Sequence, residues 1–358
     1  MKTDNAKTGG RFKMNGAVGY LSEHWKGISN NRRILPVLVV LGFILSFVIP
    51  QFNIVNPYIQ TIIMYIGINI ILATSLNLVN GYMGEFSVGH AGFMAVGAYV
   101  SSLLTLHVFP RSLIFLFFPL GVIAGGVATA LISLVVAIPS FKTRGDYMAF
   151  ITLAFTLIVK SIIENIEAIG GPRGIIGIDK LTTMPWVFFW TVLSLWVIRN
   201  FVYSNYGRGV LSIREDEVAS ALMSVNTRQV KLLAFALSAF FAGVAGGLFA
   251  HLLQFISPRV FDIMKSTDIL VMVYLGGIGS IAGSILGATV YTILLEILRP
   301  LGMFRMVLMP LLLVFLMIYR PRGIMGLREL QWFIPIQELN VVKRWQHKKE
   351  ASNANSAS

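Results

Sequence analysis

The chain has 358 residues, 56% of them hydrophobic and only 13% charged, with no cysteine and a formal net charge of +13. That balance excludes an ordinary water-soluble globular domain, and the missing cysteine excludes disulfide staples, thiol catalysis, cysteine-bound zinc and iron–sulfur clusters. The basic residues flank apolar segments and form no stripe interleaved with aromatics, so the expectation is an all-α polytopic protein whose partner is the lipid bilayer, with no nucleic acid involved.

Residues 1–33 carry Lys2, Lys7, Arg11, Lys13, Lys26, Arg32 and Arg33 and are expected to form a basic cytoplasmic arm. A cleavable signal peptide is the rival reading; the arm is long for one, and no small-residue cleavage site precedes Pro50. Apolar segments follow at about 34–49, 58–79, 87–107, 113–138, 147–165, 185–203, 232–256, 267–277, 281–298 and 304–319, to be measured against the ~20 residues that cross hydrocarbon. This predicts about ten transmembrane helices, with 267–277 short enough to be half-buried or strongly packed. When both termini are placed inside, most Lys and Arg fall in the arm, at Lys142 and Arg144, in the 204–231 loop and after residue 319. The positive-inside rule favours that orientation. The expected organisation is therefore an arm at 1–33, a transmembrane domain at 34–328 with a cytoplasmic loop at 206–231, and a cytoplasmic tail at 329–358.

Residues 80–102, NGYMGEFSVGHAGFMAVGAYVSS, interrupt the helical pattern at the inner face. Their glycines permit close backbone approach. Within them Glu85, Ser87 and His90 are candidate translocation-path residues, because polar groups at membrane depth are costly unless they face a bundle interior or a wet cavity. The alternative is that Ser87 and His90 only bond to neighbouring helices. Further on, the spacing of Lys160 and Glu164 predicts a local ion pair.

The stretch GGIGSIAG at 276–283 lacks the Gly-Lys-Ser/Thr that a phosphate loop requires. A helix break there would echo the one near 80–92 and raises a distant internal repeat. Near the outer end of the next segments, Glu296, Arg299 and Arg305 predict an interfacial ion cluster.

The loop GRGVLSIREDEVASALMSVNTRQVK at 207–231 contains Ser212 and Glu215 in the S-x-x-E relation of a capping box, followed by Asp216 and Glu217 at a helix start. Val218, Leu222 and Val225 recur at helical spacing. They predict an amphipathic helix of about three turns at the membrane surface, shaped for a partner's groove or serving only as a connector.

The order REDEVASALMSVN resembles the coupling loop of ATP-binding-cassette importer permeases, with Ser224 where that family usually carries glycine. GEFSVGHAGFMAVGAY, YMAFITLAFTLIV, GGPRGI, VKLLAFALSAFFAGVAGGLFA, SPRVFD, MVYLGGIGSIAGSILGA and YRPRGIMG follow one another and resemble the permeases for branched-chain amino acids over roughly residues 57–328. Glu85 departs from that family's usual glutamine. The resemblance implies a transport subunit of the cell inner membrane, not an enzyme, working with a related second permease, two ATPase subunits and a soluble substrate-binding protein. It implies no cofactor of its own, ATP being bound by a separate subunit, and no metal. The coupling positions it implies are Arg214, Glu215, Asp216, Glu217, Val218, Ala219 and Leu222. Alternatives are a permease for urea or short amides in the same family, or a secondary transporter of small neutral solutes.

Overall fold

The computed structural model describes residues 34–52, 55–110, 114–141, 147–302, 304–319, 323–326 and 329, and the span from Arg33 to Glu329 is one compact unit. The expected arm, almost all of the expected tail, and Lys142 and Arg144 lie outside the described residues, as does the side chain of Arg305. Twelve α-helices are described: α1 (Ile34–Gln51), α2 (Pro57–Asn77), α3 (His90–Leu103), α4 (Ile114–Ser140), α5 (Tyr147–Asn165) and α6 (Met184–Val202) precede an elbow of two short ones, α7 (Asn205–Glu215) and α8 (Glu217–Leu222). After the elbow come α9 (Thr227–Leu253), α10 (Ile263–Gly276), α11 (Ile281–Ile297) and α12 (Phe304–Tyr319). All ten apolar segments are helical. Six helices, α2 to α6 and α9, are long and apolar enough to cross a membrane once the π-helical extensions of α2 and α3 are included. Among the described residues α1, α10, α11 and α12 fall below that measure.

The core forms around α9, which packs on α2, α3 and α4, while α2 turns its other side to α6, α10 and α11. These contacts are close because glycines meet glycines. A Cβ on Gly97 would overlap the backbone of Gly243, and one on Gly125 would stand 2.7 Å from the Gly97 carbonyl. In hydrocarbon, where burial of apolar surface no longer favours helix contact, such small-residue packing supplies the attraction. Phe150, Ile158, Leu131, Val135 and Trp196 are exposed around the outside, as expected of a surface solvated by lipid.

Polar side chains stitch the interior. Asn69 donates to Thr292 at 2.9 Å and Ser238 to the Ser75 carbonyl at 2.6 Å. At the end of the bundle away from the elbow, a two-residue antiparallel ladder pairs Ile175 with Ile256 and Ile176 with Phe255. The expected Lys160–Glu164 pair gives way to another partner, since Lys160 Nζ lies 2.8 Å from Asp262 Oδ2 in the loop before α10. A shared helix face supplies proximity, but Asp262 is held in place as the N-cap of α10 and loses less freedom on pairing. At α11's end Arg299 pairs with Glu296 at 3.2 Å, and Tyr58 bonds to both.

Candidate functional site

The site is built where two interrupted helices meet beneath the α7–α8 elbow. After Asn77 the chain widens into a six-residue π-helical segment, Leu78–Met83, closed by Gly84, whose φ of 78° is left-handed. Residues 84–89 then run non-helical until α3 starts at His90. The second break follows α10, where Gly277 and Gly279 take φ of 128° and 77°. Ser280 restarts the helix by accepting the Gly283 N–H at 2.9 Å, a short side-chain oxygen satisfying an amide that the first turn leaves open.

The two breaks touch. Asn77 Oδ1 accepts the Gly279 N–H at 2.8 Å, and its Nδ2 donates to the Ser280 carbonyl at 2.9 Å and to Ser284 Oγ at 2.8 Å. A Cβ on Gly81 would overlap the Gly279 amide, so this approach requires glycine. From the C-terminal side, the Ile324 and Met325 amides donate to the carbonyls of Leu275 and Gly276, and the Glu329 carboxylate accepts the Ile281 and Ala282 amides at 2.7 and 3.0 Å. A carboxylate at a helix start also answers the positive end of the dipole.

The elbow corrects two expectations. Ser212 and Glu215 form no capping box: α7 runs through both from its cap Ser204, Ser212 Oγ donates back to the Gly209 carbonyl, and Glu215 pairs with Arg214. The cap of α8 is instead Asp216, whose backbone is extended and whose Oδ1 accepts the Val218 and Ala219 amides at 2.9 and 3.0 Å. Two amides bound by one carboxylate outcompete a serine that would first have to leave a helix already formed. The expected three-turn helix is accordingly only six residues long.

Its apolar face is turned away from the bundle. Val218, Leu222 and Met223 are 70%, 81% and 80% exposed, whereas Ser220 is buried and Val225 half-buried. The turn after α8 is made by Ser224 at φ 63°. Serine thus occupies the left-handed position that glycine fills more easily.

Behind the elbow stands Lys231, a residue that sequence reasoning counted only as a loop charge. It is 6% exposed, and its Nζ lies 2.7 Å from Glu85 Oε1 and 2.9 Å from Glu217 Oε2, facing the Phe141 ring. The available signal was a lysine four residues into an apolar helix, which is rarely buried without carboxylate partners. On the other flank, Arg214 Nη1 donates to the Gly81 carbonyl at 3.1 Å, and its Cγ lies 2.7 Å from where a Cβ on Gly84 would stand. A cleft of about 270 Å³ opens between these groups, lined among others by Gly84, Glu85, Ile213, Arg214, Glu217 and Lys231.

The structure separates the three path candidates. Glu85 belongs to the Lys231 cluster. Ser87 is buried with its backbone clamped by Asn80 through bonds of 3.1 and 3.3 Å, and its Oγ has no partner among the described residues. His90 is buried one turn further on, with Nε2 2.8 Å from Ser75 Oγ.

Six long apolar helices with two helix breaks in contact describe a multi-pass membrane protein, and its relatives make it a permease of the ATP-binding-cassette importer type. Residues 58–319 match the family model for the permease component of the branched-chain amino acid transport system, and the chain belongs to that family. It is 34% identical to the high-affinity branched-chain amino acid transport system permease protein LivM of Escherichia coli K12, over 72% of this chain and 68% of that one. It is 30% identical to the corresponding LivH protein of the same organism, over 42% and 50%. A probable LivM permease of Methanocaldococcus jannaschii is 25% identical over 66% and 79%. No solved structure matches.

Proposed function

We propose that the chain is one of two permease subunits that together form the path of an importer for branched-chain amino acids, in the cell inner membrane with both termini cytoplasmic. A soluble binding protein delivers the solute, and the energy comes from two separate ATPase subunits, one docked on α8. The observation that carries this reading is the arrangement of α8: a helix with an acidic cap leaves Val218, Leu222 and Met223 exposed, and its neighbour Lys231 ties it to the break before α3. An apolar patch of this kind on a short, rigidly capped helix fits an apolar groove. Both kinds of relative, LivM and LivH, are named as permeases of branched-chain amino acid transport systems, which supports the pairing and the substrate class.

Ser87 and His90 are the proposed path residues. Ser87 presents a buried hydroxyl with bonding capacity to spare, which a solute or water crossing the membrane can use. The reading is tested by reconstituting the chain with a related permease, both ATPases and the binding protein in vesicles, and following leucine, isoleucine and valine uptake. ATP-dependent uptake is expected, while the chain alone neither binds nor hydrolyses ATP. ATP hydrolysis by the isolated chain, or uptake that persists without the ATPases, overturns it.

A further inference from the structure

Resting on the docking of an ATPase at α8, we infer that the Glu85–Lys231–Glu217 bridge is the link through which movement of α8 reaches the first helix break. Lys231 is the sole member placed on a long rigid helix, near the start of α9. Its ammonium holds one carboxylate from the docking helix and one from the non-helical stretch before α3. Glu85 immediately follows Gly84, the left-handed residue that closes the π-helical segment. The bridge therefore grips the chain beside the residue at which the helix is interrupted. On the opposite side of that point Arg214, from the same elbow, donates to the Gly81 carbonyl.

Any shift of the elbow consequently loads the break from both flanks. The load passes on, because Gly81 lies against Gly279 and Asn77 is bonded to Gly279, Ser280 and Ser284. The charges suit this task. Lys231 is buried while Glu85 and Glu217 remain partly exposed, with side-chain exposures of 23% and 53%. Both carboxylates can thus exchange the lysine for water as the elbow moves, whereas the lysine depends on keeping at least one of them. Lys231 and Glu85 are positioning residues in this scheme, and they need not touch the solute.

Three variants test the link in the full reconstituted complex, with ATP hydrolysed per leucine imported as the readout. Glu85→Gln and Lys231→Met are expected to retain the ATPases and hydrolyse ATP while import per ATP falls about fivefold or more, the range of typical coupling energies. The triple exchange Glu85→Lys, Lys231→Glu, Glu217→Lys rebuilds both pairs with inverted sign and is expected to recover at least part of the lost ratio. A drop without recovery assigns the three residues to folding or to the path itself and overturns the link. An unchanged ratio in Glu85→Gln and Lys231→Met, in a complex whose wild type imports and whose Leu222→Asp variant releases the ATPase, overturns the link alone. Should Leu222→Asp keep the ATPase and import normally, the docking reading fails instead. If Lys231→Met does not accumulate, Glu85→Gln decides, since a neutral amide of the same shape keeps the fold.

Discussion

The two helix breaks lie against each other yet are secured by different means. The second, at Gly277–Ser280, is closed mostly through backbone groups: the buried Asn77 side chain bonds its backbone, Ser280 caps the next helix, and the Ile324 and Met325 amides and the half-buried Glu329 carboxylate bind its flanking ends. The first, at Leu78–Gly89, is held by charged side chains lining an open cleft: the partly exposed Arg214 and Glu85, and the buried Lys231 that pairs with Glu85. An amide bonded inside a packed contact finds no ready substitute when that bond is broken, whereas partly exposed carboxylates such as Glu85 and Glu217 exchange partners with water at small cost. On the proposed docking of an ATPase at α8, the second break serves as the pivot and the first as the part that moves.

Removing the pivot is expected to have the largest effect. A Cβ on Gly276 would overlap the Gly283 carbonyl, so Gly276→Val should cost about 3 kcal/mol or more through overpacking against backbone. The yield of folded protein in detergent, measured by size exclusion, should collapse. Normal yield would mean that the α10–α11 crossing is looser than described. Asn77→Ala comes next. It leaves the Gly279 amide unpaired and removes two further bonds, at a cost of about 1–3 kcal/mol for the orphaned group. A fall in the thermal unfolding midpoint checks it.

Disturbing the movable side should cost less stability. Glu217→Ala removes one of two carboxylates from Lys231 and leaves Glu85 in place, so the loss is about 1 kcal/mol, as for an exposed pair. Its thermal midpoint should lie well above that of Asn77→Ala. The reverse order would dissolve the distinction between the breaks. The smallest expected effect lies away from both. Lys160 and the Ile263 amide hold the Asp262 carboxyl below its ordinary range, so the folded state binds its proton more weakly than the unfolded chain does. The stability from this pair is present above the ordinary aspartate pKa of about 3.9 and is lost as pH falls through the lower folded value. Asp262→Asn should lose that small increment at neutral pH, flatten the acid limb of the stability curve, and match the wild type once the pH is below the folded value.

The ten apolar segments were legible because each carries its signal within itself, in uninterrupted hydrophobicity bounded by charges. The glycine clusters marked both breaks for the same reason. What stayed hidden depended on distant partners or on competition between neighbours. Lys231 and Glu85 are 146 positions apart, and no local pattern joins them, so reading Glu85, Ser87 and His90 as path candidates gave no sign of the pairing. Lys160 had a suitable carboxylate one turn away and bonds to one 102 positions on. The elbow failed by competition: Ser212 and Asp216 are both good caps, and only the continuation of α7 through Ser212 decides between them. Ser224 showed the opposite, since the left-handed turn expected of glycine forms with serine in its place.

In the proposed arrangement an ATPase docks on the outward face of α8 and drives a path of which this chain is one half. The direct test is retention of the ATPase subunits, together with ATP-driven leucine uptake, by complexes carrying Val218→Asp or Leu222→Asp. Both side chains are exposed, so neither substitution disturbs the isolated fold, but each would place an unpaired charge in an apolar contact at a cost of a few kcal/mol. That is about tenfold weaker docking or more, with uptake falling in step while the permease itself accumulates normally. Full retention and normal uptake in both variants would contradict the account and make α8 a connector.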